Sequence, residues 1–258
     1  MSFFADRCGI STHICDMVEI LHNKLPEDLL AKSSLPGMHP LNDGQWLYVD
    51  EAYAAQMAYR RKLIKERRNE VLWQNDMARD AIAELSDMVH EKLSSLGFGV
   101  TGHQIRCPDD VVIDLEQDEL LATLGQTVQE DICILQKQED EHVLTAGVLC
   151  FPASWTLSEK AGRSLSDIHA PVREYTADIA KRVQRMFNAV RVEQPLWRNN
   201  MLGYADPNLF QPRRENDPER QADRVETAPY LRAERQCILR LPKTDALVFT
   251  IHSFVVKR

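Results

Sequence analysis

The chain has 258 residues, 44% hydrophobic and 27% charged, with a formal net charge of −8. That balance suits one sizeable globular domain or two small ones, and the acidic excess argues against a nucleic-acid partner, whose phosphates need clustered Lys and Arg. No apolar run approaches the ~18 residues of a membrane span, and the opening MSFFADRCGI lacks the charged start and apolar middle of a signal peptide.

A cytoplasmic protein with no membrane partner is therefore expected. The six cysteines form no CxxC pair and no framework spacing, so they read as free thiols.

Residues 1–45 hold Pro26, Pro36 and Pro40 with only short apolar pieces between them, the pattern of an N-terminal arm packed on the outside of the domain. Cys8, His13, Cys15 and His22 lie in this arm, but a C-x6-C pair with a histidine inside matches no usual zinc spacing. Residues 46–258 are expected to form a single domain. From Asp50 to Leu96 apolar residues recur at three- and four-residue steps, predicting two helices with a break around Asn69–Asp76. The basic run Arg60, Arg61, Lys62, Lys65, Arg67, Arg68 on the first helix reads as a solvated face.

Gly97, Gly99 and Gly102 spell GxGxxG, yet a helix precedes them and Pro108 follows, the reverse of a dinucleotide fingerprint. A helix stop and a turn are predicted instead. Asp114, Glu116 and Asp118 alternate like calcium ligands, but Glu119 and Gly125 stand where an EF-hand loop needs Gly and Glu. Val111–Leu115 then reads as a short strand before an acidic turn. Asp131–Gln136 and Val143–Phe151 predict a hairpin, and Thr156 with Glu159 predicts a capping box for a short helix stopped at Gly162.

After SLSDIHAPV a helix is expected from about Glu174 to Val190. A long irregular stretch follows, Gly203–Tyr230, of the kind that serves as a lid or binding loop. Two strands, Leu231–Leu241 and Ala246–Val256, close the chain. The fold class is α+β.

Strand alternation sends Arg235 to the same face as Ala233, Cys237 and Leu239, and Arg232, Glu234 and Gln236 to the other. A guanidinium on an apolar face needs an anion, either a structural carboxylate or a bound group such as a cofactor carboxylate. His169, between Gly162 and Pro171, reads as a loop residue, either packed or liganding. His252 is a weaker candidate, and His90, His103 and His142 read as surface positions.

Several blocks together carry more than any one motif: VQEDICIL (Val128–Leu135), CFPASWTLSEKAGRSLSDIHAPV (Cys150–Val172), LWRNN (Leu196–Asn200), DPNLFQP (Asp206–Pro212) and LRAERQCILRLPKTDALVFTIHSFV (Leu231–Val255). In this order and spacing the chain resembles the haem-dependent oxidative N-demethylase family. The resemblance implies a PAS-like antiparallel sheet with flanking helices that binds b-type haem, with iron activating O2 to oxidise a methyl group of a small secondary amine such as dimethylamine. Electrons would come from separate flavin or iron-sulfur reductase subunits.

It further implies His169 as axial ligand of the haem iron, Arg235 and Arg232 as cofactor-binding residues, and Glu234 and Arg198 as catalytic. Where the family pattern continues Asn-Trp, this chain has Met201 after Asn200, and Arg173 replaces the proline after HAPV. A PAS-like haem or small-molecule sensor without demethylase activity is the alternative reading.

Overall fold

The structure, a computed structural model, describes residues 19–30, 37–42, 44–115, 117–170, 176–218 and 226–258. Its strands are β1 (His39–Pro40), β2 (Leu72–Gln74), β3 (Gly99–Thr101), β4 (Gln104–Arg106), β5 (Val112–Asp114), β6 (Asp131–Gln138), β7 (Glu141–Val148), β8 (Leu196–Tyr204), β9 (Tyr230–Arg240) and β10 (Leu247–Lys257). Its helices are α1 (Tyr53–Glu66), α2 (Arg68–Val71), α3 (Arg79–Leu93), α4 (Leu120–Thr127), α5 (Leu157–Lys160), α6 (Leu165–His169) and α7 (Ala177–Ala189).

Seven strands form one sheet in the order β1-β8-β9-β10-β6-β7-β2, every neighbour antiparallel. The short β3, β4 and β5 form a second sheet. Antiparallel neighbours joined by short turns explain why the β6–β7 and β9–β10 hairpins are legible as pairs of apolar runs separated by polar residues. The fold is α+β, as expected.

The large sheet is covered on both faces. Val248, Cys237, Ile132, Ile134, Ala146 and Val148 face a core shared with α1, α3 and α4. Cys133, Leu135, Leu144, Ile238 and Leu247 face the other way, against Leu157 of α5, Leu165 of α6 and Phe187 of α7. Opposite faces follow from the two-residue period of the strands. The amino-terminal segment contributes too, with Leu25 and Leu29 buried against Ala233 and Phe254. No helix among the described residues is long and apolar enough to cross a membrane.

Several local expectations are corrected. Arg60 lies on no solvated face: it is fully buried and paired with Asp131 at 2.6 Å. The helical break around Asn69–Asp76 holds the edge strand β2, paired with β7. Leu196–Tyr204, read in part as the approach to an irregular stretch, is a nine-residue strand, so the irregular segment begins at 205.

The Thr156 hydroxyl bonds the Glu159 carboxylate at 2.7 Å and caps no backbone N–H. His142 is buried, its Nδ1 accepting from the Gln184 amide of α7 at 2.6 Å. Gly97, at φ 89°, ends the helical stretch before β3, a left-handed conformation that glycine adopts without Cβ strain. Cys107, Cys133, Cys150 and Cys237 are buried free thiols. Cys8, His13 and Cys15 lie outside the described residues, as do Pro171 and Arg173.

Candidate active site

Strands β8 and β9 set the floor of the candidate site. In their register Arg198 opposes Gln236 and Asn200 opposes Glu234. Directly opposed residues share a face, so these four side chains, with Arg232, project toward α5, α6 and α7. Glu234 is buried and accepts from the Gln236 amide at 2.9 Å and the Asn200 amide at 3.2 Å, with the Arg232 guanidinium 3.2 Å away.

Three partners hold that carboxylate in place. Asn200 and Gln236 were not singled out from sequence, although their two-residue spacing from Arg198 and Glu234 was the available signal.

Arg198 is half-buried, and its Nε has no hydrogen-bond partner among the described residues. Burial lowers its pKa, and the nearby Glu234 charge partly restores it. Arg232 is tied to the backbone around it as well: one terminal nitrogen donates to Leu209 O at 3.0 Å and Pro152 O at 3.4 Å, the other to Phe151 O and to Ser253 Oγ at 3.1 Å, while its Nε, like that of Arg198, has no partner among the described residues. It fastens three chain segments beneath Glu234.

His169 is the last residue of α6 and sits in no loop; Ser164 caps that helix by accepting from Asp167 N–H at 3.3 Å. Its Nδ1 lies 2.9 Å from Leu165 O. A carbonyl can only accept, so the proton is on Nδ1 and the lone pair on Nε2. Burial, then the positive charges of Lys160 and Arg198, lower its pKa, outweighing the Leu165 hydrogen bond. The imidazole is therefore neutral at pH 7, the form that ligates a metal.

On the same face the apolar side chains Trp155, Ile168, Val183, Met186, Leu196 and Phe249 pack against the buried cluster of Leu157, Leu165, Phe187 and Ile238 and are only half-buried. The irregular segment reaches the same helices, since Glu215 accepts from Lys160 Nζ at 2.7 Å and Arg163 at 3.0 Å.

Arg235 is placed on the opposite face. Its guanidinium pairs with the Asp28 carboxylate and stacks over the rings of Trp197 and Tyr48, 4.2 and 4.9 Å from their centroids. Of the two readings left open, the structural carboxylate is the one observed. His169, Arg198, Arg232 and Glu234 are brought to one face and Arg235 is not. Met201 also points to the far side, where it packs with Leu25 and Leu29, so the departure at that position does not touch the Glu234 site.

The far face holds a second polar cluster. His22 Nε2 and His252 Nε2 each lie 2.9 Å from Asp50 Oδ2, three metal-ligating atoms in one place. Their protonation argues otherwise. His22 Nδ1 accepts from Val255 N–H at 3.2 Å, so its Nε2 carries the proton and donates to Asp50.

The fold and site define an α+β protein with a large antiparallel sheet. One face of that sheet carries a neutral histidine, an arginine with an unused donor, and a carboxylate, all beside half-buried apolar walls. The model of the family described as haem-dependent oxidative N-demethylase, alpha subunit-like, matches residues 37–257, and the chain belongs to that family. The site residues fit a haem: a lone pair on a neutral imidazole, an unpartnered buried guanidinium nitrogen, and apolar surface still open to a flat ligand.

Proposed function

We propose that this chain binds b-type haem on the α5–α7 face of the sheet, with His169 Nε2 as the iron ligand, and catalyses oxidative N-demethylation of a small secondary amine. The observation that carries the reading is that His169, Arg198 and Glu234 share one face, the histidine neutral and the carboxylate held by three partners. The strands running β7-β6-β10-β9-β8, with α5 to α7 inserted between β7 and β8, support a PAS-like fold.

When bound, the haem would supply the O2 chemistry. The chain's own residues do the rest. Glu234, oriented by Arg232, Asn200 and Gln236, pairs with the alkylammonium group and aims a methyl carbon inward. Arg198 offers its unused Nε–H to an anionic group at the site, and the apolar walls exclude water.

In balance, one oxygen atom enters a methyl C–H bond; the resulting carbinolamine loses formaldehyde to leave the shorter amine. The second oxygen leaves as water with two electrons and two protons. Those electrons come from a separate reductase with a flavin or iron-sulfur centre, in keeping with the alpha-subunit-like family. Arg235 is assigned a structural role with Asp28.

The test is a haemin titration followed by dimethylamine. A Soret band that shifts on adding the amine, and formaldehyde release with a reductase supplied, are expected. Haem binding without amine turnover would support the sensor reading instead, and protein that stays colourless with haemin would overturn both.

A further inference from the structure

We propose that His22, Asp50, His252 and Glu130 form a proton-dependent latch that holds residues 19–30 across the far face of β9 and β10, and that alkaline pH releases it. The proposal is independent of the haem reading. It stands first on hydrogen-bond polarity. His252 Nδ1 lies 2.8 Å from Glu130 Oε1 and its Nε2 lies 2.9 Å from Asp50 Oδ2. Both partners are carboxylate oxygens, which only accept, so both ring nitrogens must carry protons and the ring is an imidazolium.

The amino-terminal segment hangs on that cation at one remove. His22 Nε2 donates to the same Asp50 oxygen, while its backbone N–H donates to Val255 O at 2.7 Å and its Nδ1 accepts from Val255 N–H. Asp50 is the hinge of the latch, further fixed by the Gln129 amide at 2.9 Å. Residues 19–30 lie before the span that the family model matches, yet they supply Leu25 and Leu29 to the core and Asp28 to Arg235.

The surroundings leave His252 as the charge that decides. From β9, its cross-strand neighbour Arg235 is paired with Asp28. From α1, Arg60 is paired with Asp131 and also bonds Glu130 O at 2.8 Å, and Gln56 bonds Gln129. From the segment before α1, Tyr48 presents its ring edge. Phe254, on the strand of His252, adds no charge. Glu130 Oε2 is buried without a donor among the described residues. Loss of the His252 proton would leave the buried Glu130 and the half-buried Asp50 carboxylates facing a ring able to donate to only one of them, and opening the segment would return Asp50 to water.

The pH window follows from the sign of the shift. Burial opposes the His252 charge, but hydrogen bonds to Asp50 and Glu130 outweigh it and raise its pKa to about 9. A raised pKa contributes stability that is fully present below the usual histidine range and is lost as pH rises through about 9. Burial also opposes the Asp50 charge, yet the hydrogen bonds from His22 and His252 hold its carboxyl well below the usual range.

The experiment is hydrogen exchange by mass spectrometry on the full chain, corrected for the intrinsic pH dependence of exchange. Peptides covering 19–30 are expected to lose protection at least tenfold between pH 8 and pH 10, while the β6–β7 hairpin keeps its own. His252→Gln should abolish both the protection and its pH dependence. Glu130→Gln keeps the ring but removes one stabilising carboxylate, so release should move to lower pH; this variant decides the matter if His252→Gln does not fold. Flat protection in the wild type, an unmoved release in Glu130→Gln, or stoichiometric zinc whose chelation opens the segment at pH 7 would each overturn the proposal.

Discussion

Arg60 of α1 and Asp131 at the start of β6 meet at 2.6 Å with neither side chain reaching solvent. Arg60 also donates to Gly125 O and Glu130 O, and Asp131 accepts from the backbone N–H groups of Cys150 and Phe151. The pair thus ties α1, α4, β6 and the segment after β7 together. Arg60→Ala is expected to cost about 3–5 kcal/mol, because it strands a buried carboxylate. A double change, Arg60→Met with Asp131→Leu, should recover only part of that loss, since Cys150 and Phe151 keep unpaired N–H groups. Urea melts of the three proteins decide it, and a fully stable double variant would contradict the account.

His169→Ala should weaken haemin binding at least tenfold, equivalent to about 1.4 kcal/mol. Because the residue is half-buried at a helix end, urea melts without haemin should change by less than about 1 kcal/mol. The pH dependence has a definite sign. The imidazole pKa is lowered by burial and by Lys160 and Arg198, so its lone pair persists as pH falls through the usual histidine range, and proton competition for Nε2 appears only below it. A Soret titration from pH 8 downward tests this, and binding already lost near the ordinary histidine value would count against the ligand assignment.

Glu234→Gln keeps the shape of the side chain and removes its charge. Hydrogen bonds to charged groups contribute about 1.5–3 kcal/mol, so dimethylamine should bind roughly 10–100-fold more weakly. The Soret band of the haemin complex should be unchanged. Loss of both together would place Glu234 in the haem contact rather than the amine contact.

Gly125 in α4 has no room for a methyl group. A Cβ there would fall 2.6 Å from Val148 Cγ2 and 2.9 Å from Ile64 Cδ1, at the packing of α1 and α4 on β7. Overpacking of this kind costs about 1–3 kcal/mol, which exceeds the roughly 1 kcal/mol helix-propensity gain of alanine over glycine. Gly125→Ala is expected to lower the melting temperature, measured by circular dichroism.

The residues whose structure was legible in advance are those that act through local periodicity. The β6–β7 and β9–β10 hairpins stand out as apolar runs broken by polar turns because both faces of the sheet are covered and nearly every side chain of these strands is buried, and Gly97 stops its helix by a conformation it alone adopts easily. Alternation also separated Arg235 from Glu234 correctly. β8 was missed for the same reason: eight of its nine residues are half-buried, so LWRNNMLGY shows no clean period. The five-residue α6 is too short to leave a helical pattern, and His169 was read as a loop residue.

By itself the sequence determined the α+β class, the hairpins, the family resemblance, and the opposite directions of neighbouring strand residues, since all of these rest on residue type and spacing. Only the tertiary structure decided which face meets α6 and α7, and hence that Arg198 and Glu234, not Arg235, share a side with His169. It also decided the partners of the buried charges, because Arg60 and Asp131 are 71 residues apart and Arg235 and Asp28 are 207 apart. No local pattern encodes such a pairing. A buried charge finds its counter-ion through the packing of distant segments, and that packing is settled only when the whole core closes.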